Sequence, residues 1–255
     1  MPRQTGRVLP ILGALLTIAA LLTGCGGGGG GQRNARVRYF NALIGVTGNG
    51  SVDFLSPRGN TTIRQAGPVA YGGIAPSVGV LLLPLDAGSE TFQVTAAGTT
   101  SPQLAALTAT MTAGTGYLVA VSGIVGQTDA RAPRLAILTD NLPAIGSTQA
   151  ALRLVHLAPD APPVDLFNTP LNGQPAPITG LTNLAYGNAS TYALVPAGNY
   201  NLSVRVAGTG TVVPTQSSTS PIGLVGGKAY TIFAIGLVNP GTGQPAFDVR
   251  LVADN

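Results

Sequence analysis

The feature that most constrains this chain is an internal duplication: beyond residue 34 the same landmarks occur twice in the same order. Arg36-Val37-Arg38-Tyr39-Phe40-Asn41 is answered by Ala151-Leu152-Arg153-Leu154-Val155-His156, and Val52-Asp53-Phe54 by Val164-Asp165-Leu166. Ala70-Tyr71-Gly72 returns as Ala185-Tyr186-Gly187, and Ala97-Gly98-Thr99 as Ala207-Gly208-Thr209. Each copy closes on Asp-Asn, at Asp140-Asn141 and Asp254-Asn255. The repeat divides the chain into one unit over 35–141, a linker over 142–149 that carries Pro143 and Gly146, and a second unit over 150–255.

Both copies read as strands. Phe92, Val94 and Ala96 alternate with Thr91, Gln93 and Thr95, and Leu202, Val204 and Val206 alternate with Asn201, Ser203 and Arg205, the period of two of a half-buried strand. Tyr117 to Val121 and Tyr230 to Ile235 are continuous apolar runs flanked by glycine, as in a central strand covered on both faces. Gln103 to Thr112 is Thr-rich, and its counterpart, Val212 to Leu224, contains Pro214 and Pro221; both are expected to be loop or strand, not helix. With 36 Gly and 20 Pro punctuating short runs, the chain is expected to be all-β, two tandem Ig-like or transthyretin-like β-sandwich domains.

Ahead of the duplication, Arg3 and Arg7 precede an apolar stretch, Val8 to Leu22, too short to cross a hydrocarbon core that takes about 20 residues. It reads as a cleavable signal over 1–24. Leu22-Thr23-Gly24-Cys25 resembles the bacterial lipobox, and Cys25 is the single cysteine of 255 residues. That resemblance implies a diacylglyceryl thioether on Cys25, cleavage before it, acylation of the new amine by a chain such as palmitate, and stable attachment to a membrane through two or three acyl chains. Gly26 follows in place of aspartate, which in a diderm host implies the outer membrane. The glycine run from Gly26 to Gly31 completes a flexible tether over 25–34.

Composition excludes several classes. Only 9% of residues are charged, and loss of Arg3 and Arg7 takes the formal net charge from +4 to +2, so there is no electrostatic footprint for nucleic acid. Aromatics are 5% and form no girdles, which argues against a membrane barrel. No phosphate loop, zinc-protease His-Glu pair or Gly-x-Ser-x-Gly elbow follows Cys25, so no cofactor, no metal and no catalytic residue is expected.

The second copy carries a family resemblance. His156-Leu157-Ala158-Pro159-Asp160-Ala161-Pro162-Pro163-Val164-Asp165-Leu166, with Ala185-Tyr186-Gly187, Val195-Pro196-Ala197-Gly198 and Ala229-Tyr230-Thr231, resembles the bacterial domain-of-unknown-function family four-three-nine-seven. The first copy keeps Val52-Asp53, Tyr71-Gly72 and Gly114 to Tyr117 but has Asn41-Ala42-Leu43-Ile44-Gly45 in place of the His-x-x-Pro-Asp loop. The resemblance implies an exported β-sandwich and supplies no activity.

Three sets of residues invite a functional reading, each beside a structural one. His156, Asp160 and Asp165 join an imidazole and two carboxylates near one loop, able to bind a divalent ion or small ligand or to run acid–base chemistry. The prolines of the same loop and the turn chemistry of Asp160 suit a purely structural role equally. Tyr71 and Tyr186 suit either stacking on a sugar or a sandwich corner where ring and hydroxyl are tied down. Asp53 and Asp165 suit carboxylates accepting backbone or arginine hydrogen bonds, with the equivalent Arg38 and Arg153 as partners. The expectation is a non-catalytic, lipid-anchored protein of the bacterial cell envelope, a structural or interaction module whose partner is an envelope protein or polysaccharide. The alternatives are a ligand-, glycan- or metal-binding module at the His156 to Asp165 loop and a hydrolase using His156.

Overall fold

A computed structural model describes residues 34–76, 83–170, 173–213 and 221–255; the expected signal, Cys25 and the glycine tether lie outside the described residues. Strands in the first copy are β1 (Asn34–Ile44), β2 (Val52–Arg58), β3 (Thr61–Val69), β4 (Ile74–Ala75), β5 (Leu83–Asp86), β6 (Gly88–Ala96), β7 (Ala105–Met111), β8 (Gly116–Ile124) and β9 (Arg134–Thr139). The second copy supplies β10 (Gln149–His156), β11 (Val164–Asn168), β12 (Ala176–Pro177), β13 (Ala193–Pro196), β14 (Gly198–Tyr200), β15 (Leu202–Val206), β16 (Ile222–Leu224), β17 (Ala229–Ile235) and β18 (Asp248–Ala253). The described residues contain no helix, and the chain is all-β as its patterning implies.

In the first unit, a sheet ordered β4-β1-β8-β9, with β5 also on β1, packs on a sheet ordered β3-β2-β6-β7. The second unit repeats this with β13-β10-β17-β18 facing β12-β11-β15 and the small pair β14-β16. In both, the opening strand runs parallel to the long apolar one: Arg38 pairs with Leu118 and Arg153 with Thr231. Most remaining pairings are antiparallel. The Gln103 to Thr112 stretch holds β7, and in its counterpart Val212 makes an isolated bridge to Arg205 ahead of β16.

The two sandwiches belong to one compact body spanning 31–255. Side chains alternate across a strand, so β1 sends Val37 and Tyr39 into its own sandwich with Tyr117 and Val119 of β8, while Phe40 and Ala42 emerge on the other face with Leu118 and Ala120. The second unit does the same: Leu152, Leu154, Tyr230 and Ile232 point inward, and Val155, Phe233 and Ile235 point out. The two outer faces meet. Phe40 stacks on Phe233 with centroids 3.8 Å apart and planes 5° from parallel. Each paired sheet is therefore covered on both faces, which is why Tyr117 to Val121 and Tyr230 to Ile235 carry apolar residues at successive positions and not only at every second one.

Candidate functional site

The loop after β10 is built around His156, which is fully buried. Its Nε2 lies 3.1 Å from the Pro162 carbonyl and its Nδ1 accepts the Ala158 N–H at 3.3 Å, which defines a neutral ring with the proton on Nε2. Burial, only partly opposed by the carbonyls of Pro162 and Ala161, pushes the His156 pKa down to about 4. Asp160 turns away from the ring and accepts the N–H groups of Val238 (2.8 Å) and Asn239 (2.9 Å), tying its loop to the one after β17. Asp165, on β11, accepts Asn183 N–H at 2.6 Å and Gly208 N–H at 3.1 Å. Each of the three residues spends its polar atoms on a different piece of backbone. Among the described residues, no three His, Cys, Asp or Glu side chains gather to hold a metal.

The first unit reproduces the His156 bonds with a different residue, while Gly45 stands at the place of Asp160. Asn41 stands where His156 does; its Oδ1 accepts the N–H of Leu43, two residues on, at 2.9 Å, and its Nδ2 donates to the Gly50 carbonyl at 3.0 Å. Gly50 is two residues before Val52, as Pro162 is two before Val164, so both side chains clamp the same point of the loop into the second strand. Nδ2 adds a 2.9 Å bond to Val69. Asp53 likewise accepts Gly98 N–H at 2.8 Å, as Asp165 accepts Gly208, and takes Arg64 at 2.8 Å as a second partner. Asp53 Oδ1 also closes off Gly67, where an added Cβ would come within 2.1 Å of it.

Arg38 and Arg153 are not the partners of Asp53 and Asp165. Both arginines sit at positions that alternate out of their own sandwich, whereas Asp53 and Asp165 lie on the facing sheets, so no rotamer brings the pairs together. Instead the arginines meet between the sandwiches. Arg38 binds Asp254 through Nη1 (2.7 Å) and Asp140 through Nη2 (2.5 Å), and Arg153 binds Asp140 through Nη2 (2.8 Å) and Thr231 through Nε (2.7 Å). The Tyr192 hydroxyl donates toward Asp140 at 3.0 Å and toward Asp254 at 2.8 Å, and the Thr231 hydroxyl donates to Asp254 at 2.7 Å. Burial works against the charge on Arg38, but Asp254 and Asp140 outweigh it and hold the guanidinium above its ordinary value; burial and the same two carboxylates raise the Tyr192 hydroxyl. The Asp-Asn endings that mark the repeats are thus the acids of an inter-sandwich charge network, a role for which sequence spacing gave no sign.

Tyr71 and Tyr186 are not sandwich corners either. Tyr186 lies under the Arg134 guanidinium, 3.6 Å from ring centre to Cζ, with its hydroxyl 3.1 Å from Ser122 Oγ, both of the other unit, and meets the His156 ring of its own unit edge-on at 6.0 Å. Tyr71 packs with Ile44, Ile124 and Leu237, and Gly72 lies against Ile235 and Arg250 of the second unit. The corner role falls to Tyr117 and Tyr230, whose hydroxyls accept the backbone N–H five residues upstream, from Thr112 at 3.0 Å and Val225 at 3.1 Å.

This geometry defines a class: an all-β protein of two equivalent sandwiches fused face to face, with loop polar groups committed to backbone. Residues 35–167 and 168–255 match the family described as domain of unknown function (DUF4397), and the chain belongs to that family. The boundary between the matched segments falls within β11, while strand pairing groups residues 34–139 and 149–253. No curated protein matches. Among solved structures, the Bacillus anthracis TIE protein is 10% identical with a TM-score of 0.25, over 80% of this chain and 34% of that one. A leucine-rich repeat protein from Bacteroides thetaiotaomicron VPI-5482 is 13% identical with a TM-score of 0.22, over 78% of this chain and 26% of that one. This chain spans about a third or less of each, and likenesses this slight carry no inference.

Proposed function

We propose that the protein is a lipid-anchored component of the bacterial cell envelope, held on a membrane by acylated Cys25, whose joined sandwiches act as a non-catalytic structural or interaction module. One observation carries the non-catalytic part: of the residues best suited to chemistry, His156 and Asp165 hold backbone as Asn41 and Asp53 hold it in the other unit, and Asp160, which has Gly45 at its place there, is committed to the Val238 and Asn239 N–H groups. A residue replaceable by asparagine in the same bonding role is a clamp. The anchor rests on Leu22-Thr23-Gly24-Cys25 behind a basic, apolar leader, and in a diderm host Gly26 favours the outer membrane.

Labelled palmitate tests the anchor: incorporation that disappears in Cys25→Ser, with release of the protein from the membrane fraction, is the expected result, and an unlabelled soluble protein overturns it. Cross-linking in the native envelope tests the module: a specific envelope protein or polysaccharide should be recovered. A hydrolytic turnover abolished by His156→Ala in a protein that stays folded overturns the non-catalytic reading.

A further inference from the structure

The two arginines at the sandwich interface are equivalent in sequence but not in bonding. Arg38 sets both terminal nitrogens on carboxylates, at 2.7 and 2.5 Å. Arg153 has one carboxylate contact, gives Nε to Thr231, and has for Nη1 only a 3.3 Å bond to the Thr139 carbonyl. A guanidinium carries five N–H groups, so Arg153 keeps donors to spare. It lines a half-open cleft of about 330 Å³ between the units. Leu138 of β9, whose side chain packs at the face between the units, supplies an apolar wall, Tyr192 contributes an aromatic ring, and Asn141 and Thr191 bring an amide and a hydroxyl to the exposed rim.

We infer that this cleft binds one ring of an uncharged saccharide, with Tyr192 and Leu138 against the ring and Arg153 donating to a ring hydroxyl. Size sets the first limit, because 330 Å³ lies at the lower end of small-molecule sites, enough for one ring with its neighbours outside. Lining sets the second. Polar and apolar groups share the wall, as a ligand with apolar faces and a hydroxyl edge requires. Charge sets the third: Arg38 and Arg153 are matched by Asp140 and Asp254, so an acidic ligand would bring its charge beside Asp140, and a basic one would face Arg153. A neutral acceptor avoids both.

The inference goes beyond the module reading and does not use the anchor. The test is saturation-transfer NMR on the full chain in a sugar-free detergent, with chitobiose and maltose as neutral probes and digalacturonate as the acidic one. The expected result is transfer to a neutral disaccharide with a Kd of about 1 mM or tighter, and about tenfold weaker binding of digalacturonate. Thr191→Trp, which sets an indole in the mouth from an exposed position, should weaken neutral binding at least about tenfold, and Asn141→Ala about threefold, with unfolding midpoints unchanged. Transfer to neither neutral sugar, stronger transfer to digalacturonate, or neutral binding indifferent to both substitutions overturns the inference. A chain that takes palmitate and ignores both sugars would lose this site and keep its anchor.

Discussion

Asn41 and His156 occupy one position in two copies of one unit, and the contrast between them separates what the loop needs from what it can tolerate. Both accept the N–H two residues ahead and donate to the carbonyl two residues before the next strand. The needed property is a donor and an acceptor at fixed spacing; an amide and a neutral imidazole both supply it. What differs is titration. The amide has no proton to gain, while the ring, held to a pKa of about 4, must refuse one that the unfolded chain would take below its ordinary value of 6.5. The second unit therefore carries an acid sensitivity that the first lacks.

The largest expected effect tests how far the units depend on each other. Arg38→Ala leaves Asp254 and part of Asp140 without a counter-charge between the sandwiches, and should cost about 3 to 5 kcal/mol in urea unfolding. A cost under about 1 kcal/mol would show that the network is well hydrated and contributes little. Next comes the clamp. Between pH 6.5 and about 4 the unfolded state binds a proton at His156 that the folded state does not, so stability should fall with falling pH by roughly 3 kcal/mol and level off below that range. His156→Asn should keep the fold at neutral pH and flatten the part of this slope due to His156, whereas His156→Ala, which orphans the Ala158 N–H and the Pro162 carbonyl, should cost about 2 kcal/mol at pH 7. If Asn is as damaging as Ala, the equivalence with Asn41 fails.

Smaller effects sharpen the comparison. Asp165→Ala strips partners from Asn183 and Gly208 and should cost about 1.5 to 3 kcal/mol, and Asp53→Ala a comparable amount; the exposed half of the Arg64 pair adds little to the latter. Tyr117→Phe and Tyr230→Phe remove one backbone-held hydroxyl each and should match one another at about 1 kcal/mol by thermal unfolding. Unequal values would show that the corners are not equivalent.

Much of the fold is legible because β patterning is local. Alternation marked β6 and β15, threonine content kept Gln103 to Thr112 out of helix and Pro214 and Pro221 did the same for its counterpart, and the glycine-flanked apolar runs declared two-sided burial. The run from Tyr230 to Ile235 does not say what covers its second face; that cover is the other unit's sheet, a contact between residues far apart in sequence. Parity could have corrected the arginine assignment, since Arg38 sits between the inward Val37 and Tyr39 and must point out. Nothing comparable was available for Asp140 and Asp254, which lie just past their strands. The tyrosines misled because Tyr-Gly looks like a turn signal, and the hydroxyls that do hold corners, Tyr117 and Tyr230, are hidden at the heads of apolar strands.

Residues 140–148 join β9 to β10 directly, so the faces that carry Phe40 and Phe233 are supplied by the same molecule in fixed proportion. A surface of that kind on separate polypeptides would stand bare whenever copy number dropped below its dissociation constant, and would stick to whatever it met. Covalent joining replaces that dependence with a constant local concentration, commonly in the millimolar range for a short connection. Dilution to a few copies per cell leaves the pairing as complete as it is in a concentrated sample.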